Sequence, residues 1–323
     1  MIASNIALIV AGPTCSGKSA LALRLAQRFA GSIINADSMQ VYRDLRIITA
    51  RPNDEDLGLV PHKLYGVLDG HQTGSVAWWQ KEALAALKAC QSENRLPIFC
   101  GGTGMYLRSI IEGLVEIPPP GPQAREEARS LLESLGPEGL HARLLEQDPE
   151  TASRLHITDS QRLARAWEVL RGTGKGLSAW QKEPQLPPTN YRFISVRLDP
   201  DRTQLRQAIA ERFAAMLKAG ALEEIKALLE KNLSSSRPIM RAHGVPELIA
   251  VAKGELSLAE AEEKAITATR QYTRRQATWF RHHALGKDED NIISFQRFGD
   301  NEKFSESEFL KIENFITQRI DNH

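Results

Sequence analysis

Cysteine is scarce in this chain. The three present, Cys15, Cys90 and Cys100, are odd in number, far apart and without metal-ligand spacing, which argues against a disulfide framework or a zinc site and suits a reducing cytosol. Charge of one sign is lacking too, since 41 basic residues against 40 acidic ones leave a formal net charge of +1. No global field announces a nucleic-acid partner, so any basic footprint must be local. Long hydrophobic runs are also missing: nothing approaches the ~20 apolar residues of a membrane span. The short apolar run near the N-terminus has no Lys or Arg ahead of it, so a strand is expected there and not a signal peptide. Internal repeats and low-complexity tracts are absent. These exclusions leave a globular, cytoplasmic protein with no membrane partner, expected to be a monomer. Its 323 residues, 42% hydrophobic, suffice for one large or two modest domains.

What is present begins at Gly12. Residues Gly12, Pro13, Thr14, Cys15, Ser16, Gly17, Lys18 and Ser19 read GPTCSGKS, directly after the apolar run Ile6 to Ala11 and ahead of a helix patterned by Ala20, Leu21 and Leu25. A buried strand that breaks into such a loop and enters a helix is a phosphate cradle. Backbone N–H groups and the positive helix end face an anion, Lys18 adds a point charge, and the Ser19 hydroxyl can ligate Mg²⁺. The chain therefore handles a polyphosphate or diphosphate. Cys15 reads as a small residue tolerated in the loop.

Up to about Leu114, apolar runs alternate with helical stretches, including strand-like segments at 32–36 and 96–100, as in a parallel sheet wrapped by helices. Proline clusters at 117–122 and 183–188 mark linkers, and the helix-patterned segment between them has no strand-like run. Arg192 to Leu198 resumes strand character. The predicted fold is α/β, a P-loop NTPase-like parallel sheet flanked by helices, with residues 1–116 and 189–323 as the core and 117–188 as a helical insertion. A long amphipathic helix is expected over 203–231, with Leu205, Ile209, Phe213 and Met216 on one face and Arg212 within the stripe. A last helix is expected behind a capping box at Ser305 to Glu308.

In an open parallel sheet the ligand crevice lies beyond the carboxyl ends of the strands. The phosphate loop, Asp37 after the second strand-like run, and the turn Gly101 to Gly104 all fall there. Asp37 is either a general base or the cap of its own turn. After Cys100 the chain runs Gly-Gly-Thr, where NTP-hydrolysing P-loop proteins carry a metal-holding Asp. This makes routine NTP hydrolysis a poor fit, and no Asn-Lys-x-Asp tetrad supports a GTPase. Two basic clusters stand out locally: Arg154, Arg162, Arg165, Arg171 and Lys175 in the insertion, and Arg270, Arg274, Arg275 and Arg281 interleaved with Tyr272, Trp279 and Phe280. Each is either a solvated face or a surface for phosphate contact and base stacking. Arg212 likewise either snorkels to water or presents a planar donor fork to a base or phosphate.

These residues resemble the tRNA dimethylallyltransferase family. The likeness rests on GPTCSGKS at Gly12, DSMQVY at Asp37, TARPN at Thr49, PHKL at Pro61, GGTGMY at Gly101, QRLARAWEV at Gln161 and TRQYTRRQATWFR at Thr269, and extends to about His283. The resemblance implies that the ATP-binding-type loop holds dimethylallyl diphosphate with Mg²⁺ near Ser19, and that N6 of an adenine beside the tRNA anticodon attacks the allylic carbon. Asp37, Lys18, Thr103 and Arg212 become the implied catalytic residues. Implied tRNA contacts are Asp37, Ser38, Met39, Gln40, Thr103, Arg125, the run Gln161, Arg162, Leu163, Ala164 and Arg165, and the run Arg241, Ala242, His243, Gly244, Val245 and Pro246. The chain departs from the family pattern at Gly244 to Glu247, where an aromatic is replaced and a proline enters, and at Ile47 to Thr49, where a glycine commonly precedes the threonine. Competing readings are a small-molecule kinase, which would consume ATP, and a prenyltransferase acting on free adenine nucleotides, which would need no RNA surface.

Overall fold

A computed structural model of the chain describes residues 5–299 and 306–321. Six strands, β1 (Ile6–Ala11), β2 (Gly31–Asn35), β3 (His62–Lys63), β4 (Leu96–Gly101), β5 (Arg192–Leu198) and β6 (Asn291–Ser294), form one sheet in the order β3-β2-β4-β1-β5-β6. Every pairing is parallel, with Leu8 of β1 in register with Ile98 of β4 and Ile194 of β5. The helices of the first part are α1 (Lys18–Arg28), α2 (Asp54–Leu59), α3 (Val76–Ser92) and α4 (Gly104–Glu112). Then come α5 (Gly121–Gln147), α6 (Pro149–Ala152), α7 (Ser160–Thr173) and α8 (Leu177–Trp180). The last part carries α9 (Arg202–Lys218), α10 (Ala221–Glu230), α11 (Val245–Ala252), α12 (Leu258–His282) and α13 (Glu306–Asp321).

The central strands read as continuous apolar runs because both of their faces are covered. Along β1, successive side chains alternate faces. Ile6, Leu8 and Val10 pack with Leu21 and Leu25 of α1 and Ile312 and Ile316 of α13. Ala7, Ile9 and Ala11 pack on the opposite layer, with Trp79 and Leu87 of α3, Leu107 of α4, Phe213 of α9 and Val245 of α11. Both layers leave the carboxyl ends of β1, β2 and β4 side by side.

The chain divides into two compact units, Met1–Ile111 with Pro187–His323, and Glu112–Leu186. The second unit is helical throughout its described elements and has its own core of Ala128, Leu140, Leu144, Leu163, Ala166 and Trp167. Its long helix α5 is kinked at Gly136, ahead of Pro137. The structure corrects one expected element: the helix over 203–231 is two. It stops at Lys218, Gly220 takes a left-handed φ of 97°, and α10 starts at Ala221. The stripe Leu205, Ile209, Phe213 and Met216 stays buried on α9. The expected cap at Ser305 lies outside the described residues, while α13 behind it buries Phe309, Ile312 and Ile316.

Candidate active site

Beyond β1 the backbone coils tightly. Cys15 and Gly17 both have positive φ, 65° and 87°, and the Ser16 N–H closes a turn onto the Pro13 carbonyl at 3.2 Å. Helix α1 then opens at Lys18 with no acidic residue in its first turn, so its unpaired N–H groups and positive dipole end face the loop unopposed. The Lys18 ammonium curls back to the Pro13 carbonyl at 3.4 Å. Burial pushes its pKa below that of free lysine; the Asp37 carboxylate opposes this and the Arg212 guanidinium adds to it. Cys100, at the end of β4, stands next to the Ser19 hydroxyl, and burial raises its thiol to about 11. A neutral thiol thus stands beside Ser19 with no carboxylate following it at the end of β4, and the carboxylate coupled to Lys18 comes instead from the β2 side.

That carboxylate is placed by its neighbours. Asn35, fully buried at the end of β2, accepts the Asp37 N–H at 2.9 Å and donates to the Asp37 and Leu64 carbonyls at 3.0 and 3.1 Å. Asp37 Oδ1 accepts the Met39 N–H at 2.9 Å and the Gln40 N–H at 3.4 Å. Oδ2 receives no hydrogen bond among the described residues. The Thr103 hydroxyl accepts the Ser38 N–H at 3.0 Å, and its own N–H donates to the Ala36 carbonyl at 3.1 Å. The GGTG turn lies so close to its surroundings that side chains there have no room: a Cβ on Gly102 would sit 2.2 Å from the Gln276 amide nitrogen, and one on Gly104 2.2 Å from the Trp279 ring. Gln276, buried on α12, accepts from the Thr14 N–H at 2.9 Å and hydroxyl at 3.1 Å and donates to the Gly102 carbonyl at 3.0 Å. One amide therefore ties the phosphate loop to the turn after β4.

A cavity of about 280 Å³ opens between these groups, lined by Thr14, Cys15, Asp37, Ser38 and Met39 on one side. Arg212, Arg241, His243, Thr269 and Tyr272 line the other, with Ile48, Ile209, Phe213 and Met216 supplying an apolar wall. Arg212 reaches in from α9 and donates to the Thr49 carbonyl at 3.3 Å, with its other nitrogen 4.0 Å from the Cys15 sulfur. The same Thr49 carbonyl accepts the Gln40 side-chain amide at 2.9 Å. The loop that carries it is held by Glu224, whose carboxylate accepts the N–H groups of Arg46, Ile47 and Ile48 at 2.6, 2.8 and 3.0 Å. His243 packs on Tyr272 with ring centroids 4.5 Å apart. Burial depresses the His243 pKa, helped by Arg275 and opposed by Asp37, and raises the Tyr272 phenol to about 12. Both rings are therefore neutral near pH 7.

The sequence-derived candidates thus separate into groups. Thr14, Cys15, Asp37, Ser38, Met39, Arg212, Arg241, Ala242 and His243 share the cavity. Gln40 and Thr103 hold its rim together. Gly244 caps α11 in a left-handed conformation, Val245 is fully buried in the core, and Pro246 falls in the first turn of that helix, where a missing N–H costs nothing. The proline at the departing position is thus accommodated. The second unit carries Arg125, Gln161, Arg162 and Arg165 exposed, Ala164 half-buried, and Leu163 fully buried in that unit's core. Of the aromatics in the basic helix, Tyr272 faces the cavity, Phe280 is buried, and Trp279 stacks on His283 with centroids 4.3 Å apart. Sequence reasoning gave no role to Asn35, Gln276 or Glu224. A signal existed for Gln276, an uncharged polar residue three positions after Thr273 and four before Phe280 on the buried side of α12.

Comparison with known proteins follows the same lines. The family described as IPP transferase matches residues 40–283, and the one described as isopentenyl transferase matches residues 4–65. A tRNA dimethylallyltransferase of Gluconobacter oxydans is 62% identical over 98% of this chain and 95% of its own length, and one of Granulibacter bethesdensis is 54% identical over 96% and 97%. Among solved structures, the full-length tRNA isopentenylpyrophosphate transferase from Bacillus halodurans superposes with a TM-score of 0.70 at 29% identity, covering 98% of this chain and 97% of that one. A eukaryotic dimethylallyltransferase acting on tRNA gives 0.80 at 27% identity, over 97% of this chain and 80% of that one.

Proposed function

Because the chain belongs to the IPP transferase family, we propose that it transfers a dimethylallyl group from dimethylallyl diphosphate to N6 of the adenine adjacent to the anticodon of tRNA, releasing diphosphate. Prenyl transfer to tRNA is its activity; the finer assignment follows from the chemistry of the site. The diphosphate lies against the loop from Gly12 to Ser19, facing the N-terminus of α1 and the Lys18 ammonium. The N6 lone pair attacks the allylic carbon, the carbon–oxygen bond breaks with its electrons going to the leaving diphosphate, and the N6 proton passes to Asp37 Oδ2. Negative charge grows on the diphosphate as the bond breaks, so the loop donors stabilise the transition state more than the bound substrate. The apolar wall of Ile48, Ile209, Phe213 and Met216 suits the five-carbon chain, while Arg212, His243 and Tyr272 offer a donor fork and ring faces to a base drawn out of its stack.

The observation that carries this reading is that Asp37 lines the cavity shared with the phosphate loop while only its Oδ1 is engaged, in holding its own turn, and Oδ2 receives no hydrogen bond among the described residues. The residues also fit a divalent cation bound mainly through substrate oxygens. Ser19 is exposed at the first turn of α1, and no cluster of three acidic, His or Cys side chains exists among the described residues to hold one alone. Ser19 would hold Mg²⁺, which supplies countercharge to the leaving group when bound. No helix among the described residues is long and apolar enough to cross a membrane. Incubation with labelled dimethylallyl diphosphate and unmodified tRNA tests the proposal: label in the RNA is expected, and ATP consumption with a small alcohol in its place would overturn it.

A further inference from the structure

The phosphate loop is gripped from behind by the segment that follows β6. Arg297 Nε donates to the Cys15 carbonyl at 2.9 Å, and the Phe298 N–H donates to the Ser16 carbonyl at 3.0 Å. The packing is close enough to dictate sequence, because a Cβ on Gly17 would sit 1.6 Å from the Phe298 carbonyl oxygen. The segment is anchored at both ends. Upstream, β6 pairs with β5 in the sheet. Downstream, α13 clamps α1 through Arg24 to Glu306 at 2.5 Å, through Arg28 to Glu313, and by the Arg24 guanidinium lying 3.7 Å over the Phe309 ring. Both Arg297 and Phe298 lie beyond the residues that the family models match.

We infer that residues 295–299 form a strap that sets the shape of the phosphate loop, with Arg297 and Phe298 as positioning residues for the diphosphate. In a trans peptide the C=O of one residue and the N–H of the next point in opposite directions. A donor fixed on the Ser16 carbonyl therefore turns the Gly17 N–H away from the strap, and that N–H makes no hydrogen bond among the described residues. It is left at the mouth of α1, where an anion is expected. The donor on the Cys15 carbonyl is charge-assisted and holds the one non-glycine residue of the loop with a left-handed backbone, a conformation such residues seldom adopt unaided. The strap touches the backs of the loop peptides and not the substrate. Its loss should therefore be felt in diphosphate affinity and not in RNA binding.

This inference rests on the reading of the loop as a diphosphate site. Its test uses the full chain with Arg297→Gln, Arg297→Lys and Phe298→Pro, the last removing the backbone donor. Calorimetric binding of inorganic diphosphate is measured together with the separate KM values for dimethylallyl diphosphate and tRNA. Arg297→Gln and Phe298→Pro are expected to weaken diphosphate binding and raise the KM of the prenyl donor about ten-fold, the order of one lost hydrogen bond. The KM for tRNA should stay within about two-fold, and Arg297→Lys should recover most of the loss. Wild-type affinity in both Arg297→Gln and Phe298→Pro overturns the strap's role while leaving the activity intact, and so does an equal loss for both substrates. A wild-type chain that prenylates tRNA yet binds no diphosphate overturns the reading of the loop, and the strap's role with it.

Discussion

At the residue scale, Asp37 Oδ1 caps its own turn, and in the proposed mechanism Oδ2 takes the N6 proton, so the two roles that the sequence left open would fall on different oxygens. Replacement by asparagine separates them, since an amide oxygen still accepts the Met39 N–H but no longer takes a proton. Asp37→Asn is expected to lower kcat by about 10²–10⁴, the usual worth of a general base. Its urea midpoint should hold and its tRNA affinity change by no more than a few-fold, and gel-shift titration beside single-turnover kinetics checks both. His243 gives a pH signature of the opposite kind. Its folded pKa is depressed by burial, so below about pH 6.5 the unfolded chain takes up a proton that the folded chain refuses. Stability therefore falls as pH drops from the unfolded value to the folded one and then levels. In His243→Gln the loss between pH 7.5 and 5.5, read from urea midpoints, should be smaller.

At the scale of elements, the buried strands β1, β2, β4 and β5 were legible because covering both faces writes an apolar run into the sequence. The edge strands were not: β3 has two residues, both half-buried, and β6 has four of mixed exposure, too short to show any period. The break at Gly220 was equally hidden, because a lone glycine inside a helical pattern costs only about 1 kcal/mol and does not by itself announce a stop. Left-handed geometry makes that position testable. A Cβ there has room, with its nearest neighbour at 3.6 Å, so Gly220→Ala should cost backbone strain alone, about 1–2 kcal/mol in urea unfolding. Glu224 was silent for another reason. A carboxylate in an amphipathic helix looks like solvated surface until the fold brings the three amides of residues 46–48 onto it. Glu224→Ala leaves those donors unpaired and is expected to lower stability by about 1–3 kcal/mol. Because the Thr49 carbonyl then loses its fixed position, the KM for tRNA should rise as Arg212 and Gln40 lose their common acceptor.

At the scale of the whole molecule, a net charge of +1 left RNA binding invisible in the composition, and only local clusters carried the signal. On the second unit, Arg162 pairs with Asp159 at 3.0 Å and Arg165 with Glu168 at 3.2 Å. Exposed pairs of this kind are worth little and are readily exchanged for phosphate. Replacing both arginines by alanine should weaken tRNA binding and reduce the salt slope of log K by about 0.7–0.9 per lost phosphate contact. The KM for dimethylallyl diphosphate should be untouched, as filter binding and steady-state kinetics across a salt series would show. The motifs located the active-site loops in the sequence, but the ties between them were not readable, because Gln276 lies more than 170 residues from Gly102 and 262 from Thr14.

The Gln276 tie also has a thermodynamic corollary. The helix that holds both loops also presents Thr269 and Tyr272 to the cavity, so a nucleobase settling against α12 and an anion settling against Thr14 lean on the same rod. Coupling between the two seats is the expected outcome, measured as a change in the dissociation constant of one ligand when the other is present, and by reciprocity each ligand would then alter its companion's constant by an identical factor. Cutting the amide with Gln276→Leu should bring that factor toward unity, turning a concerted pair of sites into two independent ones.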